Sequence, residues 1–130
     1  MATGYRVFRR GSGQFLYEWG YAANDVDGSP TGMTAGQSGD IAEIGHLPDK
    51  TVQATGTIGT VTTIDFRGGN IKNAANLTNL KDLGGTAINL VPLNGNAGVR
   101  ENPGFFSPVI GSGSGATIIV RAYCRRGRVT

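Results

Sequence analysis

His46 is the single histidine of this chain, and Asp40 and Glu43 stand close enough in sequence to orient it as a general base. A base needs a nucleophile to act on, and no Ser or Cys around it sits in a recognisable nucleophile motif, so His46 reads as structural. Asp25-Val-Asp27-Gly28-Ser29 begins like a calcium loop, but position twelve counted from Asp25 is Gly36, where such a loop needs a bidentate Glu. A turn is the better reading. Gly111-Ser-Gly-Ser-Gly-Ala116 fits the loose dinucleotide fingerprint G-x-G-x-x-G/A, yet that motif requires a following helix to hold the pyrophosphate and a strand-like run follows instead. It reads as a hairpin loop. Asp65 and Asp82 are carboxylates without a spacing that pairs them as acid and base. Cys124, alone in the chain, excludes an internal disulfide and alternates with its neighbours as a buried, inert thiol would. The chain therefore reads as no enzyme, with no cofactor and no metal site.

Charge offers another chemistry. Of 12 basic residues, seven are arginines at the two ends: Arg6, Arg9 and Arg10, then Arg121, Arg125, Arg126 and Arg128. All 9 acidic residues lie between them, so a net charge of +3 conceals basic termini around an acidic middle. Such polarity sets register and encounter rate with an acidic partner. Arginine further suits protein surfaces, because its fork meets carboxylates in a bidentate way that lysine does not match. Tyr5, Phe8 and Tyr123 are interleaved with these arginines as a base-stacking platform would require, but the acidic middle opposes nucleic acid. The seven arginines are the candidate partner-binding residues.

The elements that must position them are short. With 22 Gly in 130 residues, the chain holds many turns and one domain's worth of core. No stretch approaches the ~20 apolar residues of a membrane-spanning helix, and the N-terminus lacks a signal peptide's apolar segment, which implies a soluble product made in the cytoplasm. Alternation predicts strands at Tyr5–Arg10, Phe15–Tyr21, Ile41–Leu47, Thr51–Thr57, Val61–Arg67, Ala87–Val91, Phe105–Ile110 and Ala116–Arg125. In the second of these, Phe15, Tyr17, Trp19 and Tyr21 are expected on one face. In the last, Ile118, Val120, Ala122 and Cys124 alternate with Ile119, Arg121, Tyr123 and Arg125, giving an apolar and a basic face. Only Asn73–Leu83 hints at a helical turn, with Gly84 placed to cap it. The expected fold is all-β, an antiparallel β-sandwich or jelly-roll-like barrel of about 6–8 short strands. Residues 1–14 are expected as a basic arm and residues 15–130 as the sandwich domain.

The order of several turn motifs is similar to that of a group of small structural proteins of tailed bacteriophages. They are Trp19-Gly-Tyr-Ala-Ala-Asn-Asp-Val-Asp-Gly-Ser-Pro30, Thr51-Val-Gln-Ala-Thr-Gly-Thr-Ile-Gly59, Arg67-Gly-Gly-Asn70 and Leu80-Lys-Asp-Leu-Gly-Gly-Thr-Ala87. Glu101-Asn-Pro103, Pro108-Val109 and a terminal strand closing on Arg125-Arg126 continue the order, so it spans residues 15–126. The group resembles capsid decoration, or cement, proteins, β-sandwiches that bind the outside of an assembled shell as oligomers. The resemblance implies a virion location on the capsid exterior, with the major capsid protein and further copies of this chain as partners, a trimer before a dimer. A tail or head–tail connector component is the alternative. A carbohydrate- or nucleic-acid-binding module is another, favoured if Trp19 and the tyrosines are exposed.

Overall fold

The computed structural model describes residues 4–22, 28–44 and 47–126. Within them, apolar alternation broken by Gly, Asn and Pro yields strands β1 (Gly4–Gly11), β2 (Gln14–Tyr21), β3 (Ala42–Glu43), β4 (Asp49–Thr57) and β5 (Ile64–Gly69). Strands β6 (Thr78–Asn79), β7 (Asn96–Gly98), β8 (Phe105–Ile110) and β9 (Thr117–Arg125) follow. They form a five-stranded antiparallel sheet in the order β1-β2-β9-β4-β7 and a four-stranded one in the order β3-β8-β5-β6. The two sheets make an antiparallel β-sandwich.

The interior is built by period-2 geometry from both sheets. Ile118, Val120, Ala122 and Cys124 of β9 are fully buried, flanked in their own sheet by Val52 and Ala54 of β4 and joined in one core with Ile64 and Phe66 of β5. Trp19 is the centre of that core. Its ring meets Phe66 edge-on at 5.6 Å and Phe106 at 5.3 Å, and its Nε1 donates to the Asp40 carbonyl at 2.8 Å. Truncating so large a buried ring costs about 3–5 kcal/mol. Gly39 is required here, since a Cβ at that position would lie 2.4 Å from the Trp19 ring.

Several local expectations change. Residues 4–11 are not an arm: β1 pairs with β2 from Tyr5↔Trp19 to Arg9↔Phe15, and the Tyr5 ring packs 5.5 Å from that of Trp19. Tyr21 does not share the face of Tyr17 and Trp19. Gly20 is an extra residue in β2, between the pairs Gly4↔Tyr21 and Tyr5↔Trp19, and its φ of 129° makes a bulge that turns Tyr21 to the outer face. Loop 111–116 joins β8 to β9 in the other sheet, so it is a crossover between layers rather than a hairpin. Within the expected strand Ile41–Leu47, Ala42 and Glu43 form β3 by pairing with Phe106 and Phe105 of β8, and residues 45–46 lie outside the described residues.

Ala87–Val91 forms no strand of its own: Ala87 makes a single bridge to Lys81, and the amides of Ile88 and Leu90 donate to the Leu80 and Ile64 carbonyls. Asn89 adds to this, accepting from the amides of Ile64 and Val91 and donating to the Thr62 carbonyl, while Ile88 and Leu90 are buried. The helical turn is a 3-10 turn at Ala74–Asn76, capped by Asn73, and it ends at Leu77 rather than near Gly84. The Gly84 amide instead donates to Asp82 Oδ1 at 2.9 Å. β7, with its Gly and Asn, had no strand signature and pairs with β4.

Candidate docking face

Register fixes which arginines meet. Across the five-stranded sheet, one row of directly opposed residues runs Arg6, Glu18, Arg121, Gln53 and Asn96, and the next runs Phe8, Leu16, Tyr123, Thr51 and Gly98. Opposed residues in an antiparallel ladder share a face. Both rows therefore lie on the outer face, as does Arg125, opposite Asp49 and Gln14. Arg10 joins them, its guanidinium 5.6 Å from the Phe8 ring centre. The arginines of the first and last strands thus share one face, because β9 pairs with β2, which pairs in turn with β1.

These arginines are held in distinct ways. Arg121 Nε donates to Glu18 Oε2 at 2.6 Å and its Nη1 to Thr55 Oγ1 at 2.9 Å. The other Glu18 oxygen accepts from the Tyr21 hydroxyl. Burial and that acceptor raise the Tyr21 pKa. Arg125 pairs with Asp49 at 2.7 Å, and both side chains are about half exposed. Arg6 lies 4.8 Å from the Phe8 ring centre and 5.7 Å from that of Tyr21. Among the described residues, neither Arg6 nor Arg10 is in an ion pair. Among the described residues, the face consequently presents two ion pairs and two guanidinium groups, those of Arg6 and Arg10, held by cation–π contact rather than by a carboxylate.

The other predicted arginines fall elsewhere. Arg9 shares the inner side of β1 with Tyr5 and Val7, beyond the cover of the second sheet, and is exposed. The Arg126 amide donates to the Gly13 carbonyl at 2.9 Å, at the β1–β2 turn. Arg128 lies outside the described residues, as do His46 and the Asp25–Asp27 segment.

The remaining chemistry is quiet. The Cys124 thiol is fully buried, and burial pushes its pKa up to about 12, the character of an unreactive thiol. Beside it, Lys50 is buried on the inner face of β4, donating through Nζ to Asn102 Oδ1 at 2.8 Å and the Pro48 carbonyl at 3.3 Å. Burial lowers its pKa. Its place was readable from parity, since Lys50, Val52 and Ala54 alternate, but a strand begun at Thr51 left it out. A cleft of about 590 Å³ opens under β1, lined by Tyr5, Gly39, Asp40, Ile41, Lys72 and Ala74. No group of His, Cys, Asp and Glu among the described residues could hold a metal ion. None of the described helices is long and apolar enough to cross a membrane. Compared with known proteins, the chain matches no family model, no curated protein and no solved structure.

Proposed function

We propose that this chain is a structural docking protein whose basic outer face, on the five-stranded sheet, binds an acidic protein surface. The setting that its turn motifs resemble is the exterior of an assembled bacteriophage capsid, where it acts as a cement. One observation carries the reading: arginines of the first and last strands lie on one sheet face, and among the described residues Arg6 and Arg10 have no carboxylate partner there. A protein that binds the assembled shell and not free subunits stabilises the shell by mass action, without turnover. Its site is shared between neighbouring subunits and exists only after assembly.

Two observations weigh against the binding-module alternative. Trp19 and Tyr17 are core residues, and Tyr21 is buried beneath Arg6. Phe8 and Tyr123 do face outward among arginines, but guanidinium groups already lie over both rings, where a nucleobase would have to stack.

The test mixes purified protein separately with free capsid subunits and with empty expanded shells. Tight binding to shells alone is expected, weakened by salt and by the double reversal Arg6→Glu, Arg10→Glu. Equal binding to both preparations, or binding only to tail structures, overturns the cement reading and moves the assignment to a connector.

A further inference from the structure

We propose that two copies of this chain pair through β1, antiparallel about a two-fold axis at Val7, so that their five-stranded sheets become one continuous sheet. This goes beyond the docking reading and does not depend on it, since the pairing needs no shell.

Among the described residues, the sheets end in strands of unequal length. The five-stranded sheet ends in β1 and β7, and the four-stranded sheet ends in β3 and β6. β7 has three residues and β3 and β6 two each, too few to template another strand. β1 has eight, with no proline. A long unpaired edge is a ready acceptor for a further strand.

Within β1 the register selects itself. The regular part runs Tyr5 to Arg9, bounded by a ladder irregularity at each end, and its midpoint is Val7, an apolar residue that is 46% exposed. A two-fold axis at Val7 sets Val7 opposite Val7, Arg6 opposite Phe8 of the second copy, and Tyr5 opposite its Arg9. Sliding by one residue would turn one sheet's outer face inward, which a two-fold axis normal to the sheet forbids. Sliding by two sets Arg6 opposite Arg6 in one direction, or Arg6 opposite Arg10 in the other. Directly opposed like charges are destabilising. The Val7 register has none and repeats across the axis the Arg6–Phe8 contact that each copy already makes at 4.8 Å.

The inner side of β1 supplies a second complementarity. Tyr5 lines the 590 Å³ cleft with Asp40 and Lys72. Asp40 and Glu43 lie near enough to the Tyr5 hydroxyl to add to the effect of burial in raising its pKa. Arg9 of the second copy, brought opposite Tyr5, enters this cleft beside Asp40, the carboxylate among its lining residues, with Glu43 close to the same tyrosine. The contact is isologous and closes at two copies, so it does not propagate into a fibre.

Cysteine placement tests the register on the full chain. In a Val7→Cys variant the two α-carbons at the axis stand about 4.5–5.5 Å apart, within disulfide range. In Arg9→Cys they are about 14 Å apart along the strands and out of reach. Mild oxidation should convert most of Val7→Cys to a disulfide dimer and leave Arg9→Cys uncrosslinked, while Cys124, buried, takes no part. Light scattering of the unmodified protein should give twice the chain mass, and Val7→Lys, a change at an exposed site, should give the single-chain mass with its melting transition retained. Failure of Val7→Cys to crosslink, equal crosslinking of Arg9→Cys, or an unmodified protein that is monomeric or trimeric would overturn the proposal. Should Val7→Cys not fold, the masses of the unmodified and Val7→Lys proteins decide alone.

Discussion

Glu18 and Arg121, 103 positions apart in sequence, stand directly opposite one another on β2 and β9 and close an ion pair at 2.6 Å. The Glu18 side chain is 10% exposed and that of Arg121 33%, so the contact straddles the boundary between core and solvent. It fixes the C-terminal strand against the N-terminal hairpin.

Arg121→Ala should leave the fold intact and lower the melting temperature, through a loss toward the low end of about 1–3 kcal/mol, since solvent still reaches the arginine. Combining it with Glu18→Gln should cost less than the two losses added, because the second change removes the orphaned charge. Strict additivity in thermal melts would show that the two side chains are not coupled.

Val120→Asp places an unpaired carboxylate at a fully buried position of the central strand, facing the same core as Phe66. The variant should fail to fold. A soluble protein with a cooperative melting transition would mean that the inward face of β9 is wrongly assigned.

Gly20→Ala should destabilise by about 1–3 kcal/mol, because φ near 129° is costly for any residue with a Cβ. The bulge turns Tyr21 outward to reach Glu18, so fluorescence or NMR signals of Tyr21 should shift with the loss. An unchanged melting temperature would show that the strand pairs without the bulge.

Alkaline pH should weaken the fold in a defined window. The unfolded chain releases the Cys124 proton from about 9.0 and the Tyr17 proton from about 10.0, whereas burial makes the folded protein hold both until about 12. Between these values the unfolded state binds fewer protons, so stability falls as pH rises. Lys50 acts oppositely: its pKa is lowered from 10.5, and stability is regained as pH climbs from the folded value to 10.5. Thermal melts from pH 7 to 11 should show a plateau, then a decline. In Cys124→Ala the decline should begin nearer 10 than 9, and in Lys50→Met it should be steeper. A decline with the same onset in Cys124→Ala would mean that the thiol does not contribute.

Much of this was readable in the residues, for reasons that differ by element. β9 announced itself because Ile118, Val120 and Ala122 alternate without interruption, and its buried face is the one the pattern gives. β2 was legible as far as Trp19; beyond it a glycine in a strand pattern can be either packing or bulge, and only the count of residues on β1 decides. The docking face was half legible. The arginines were visible as two terminal clusters, but their meeting depends on β9 lying next to β2, a long-range pairing that no local signal encodes. β7 was illegible because three residues of Asn, Ala and Gly leave no periodicity, whereas the alternation at Ala87–Val91 was visible and marks a segment held by one bridge and the Asn89 amide instead of a full ladder.

The position of β9 between β2 and β4 imposes an order of events on the ribosome. The β1–β2 hairpin forms from neighbouring residues, but β2 and β4 can join only through a strand made after every other strand described here. Until residues 117–125 emerge, the larger sheet is two separate pieces with apolar flanks exposed, and the chain must finish folding after that strand is synthesised.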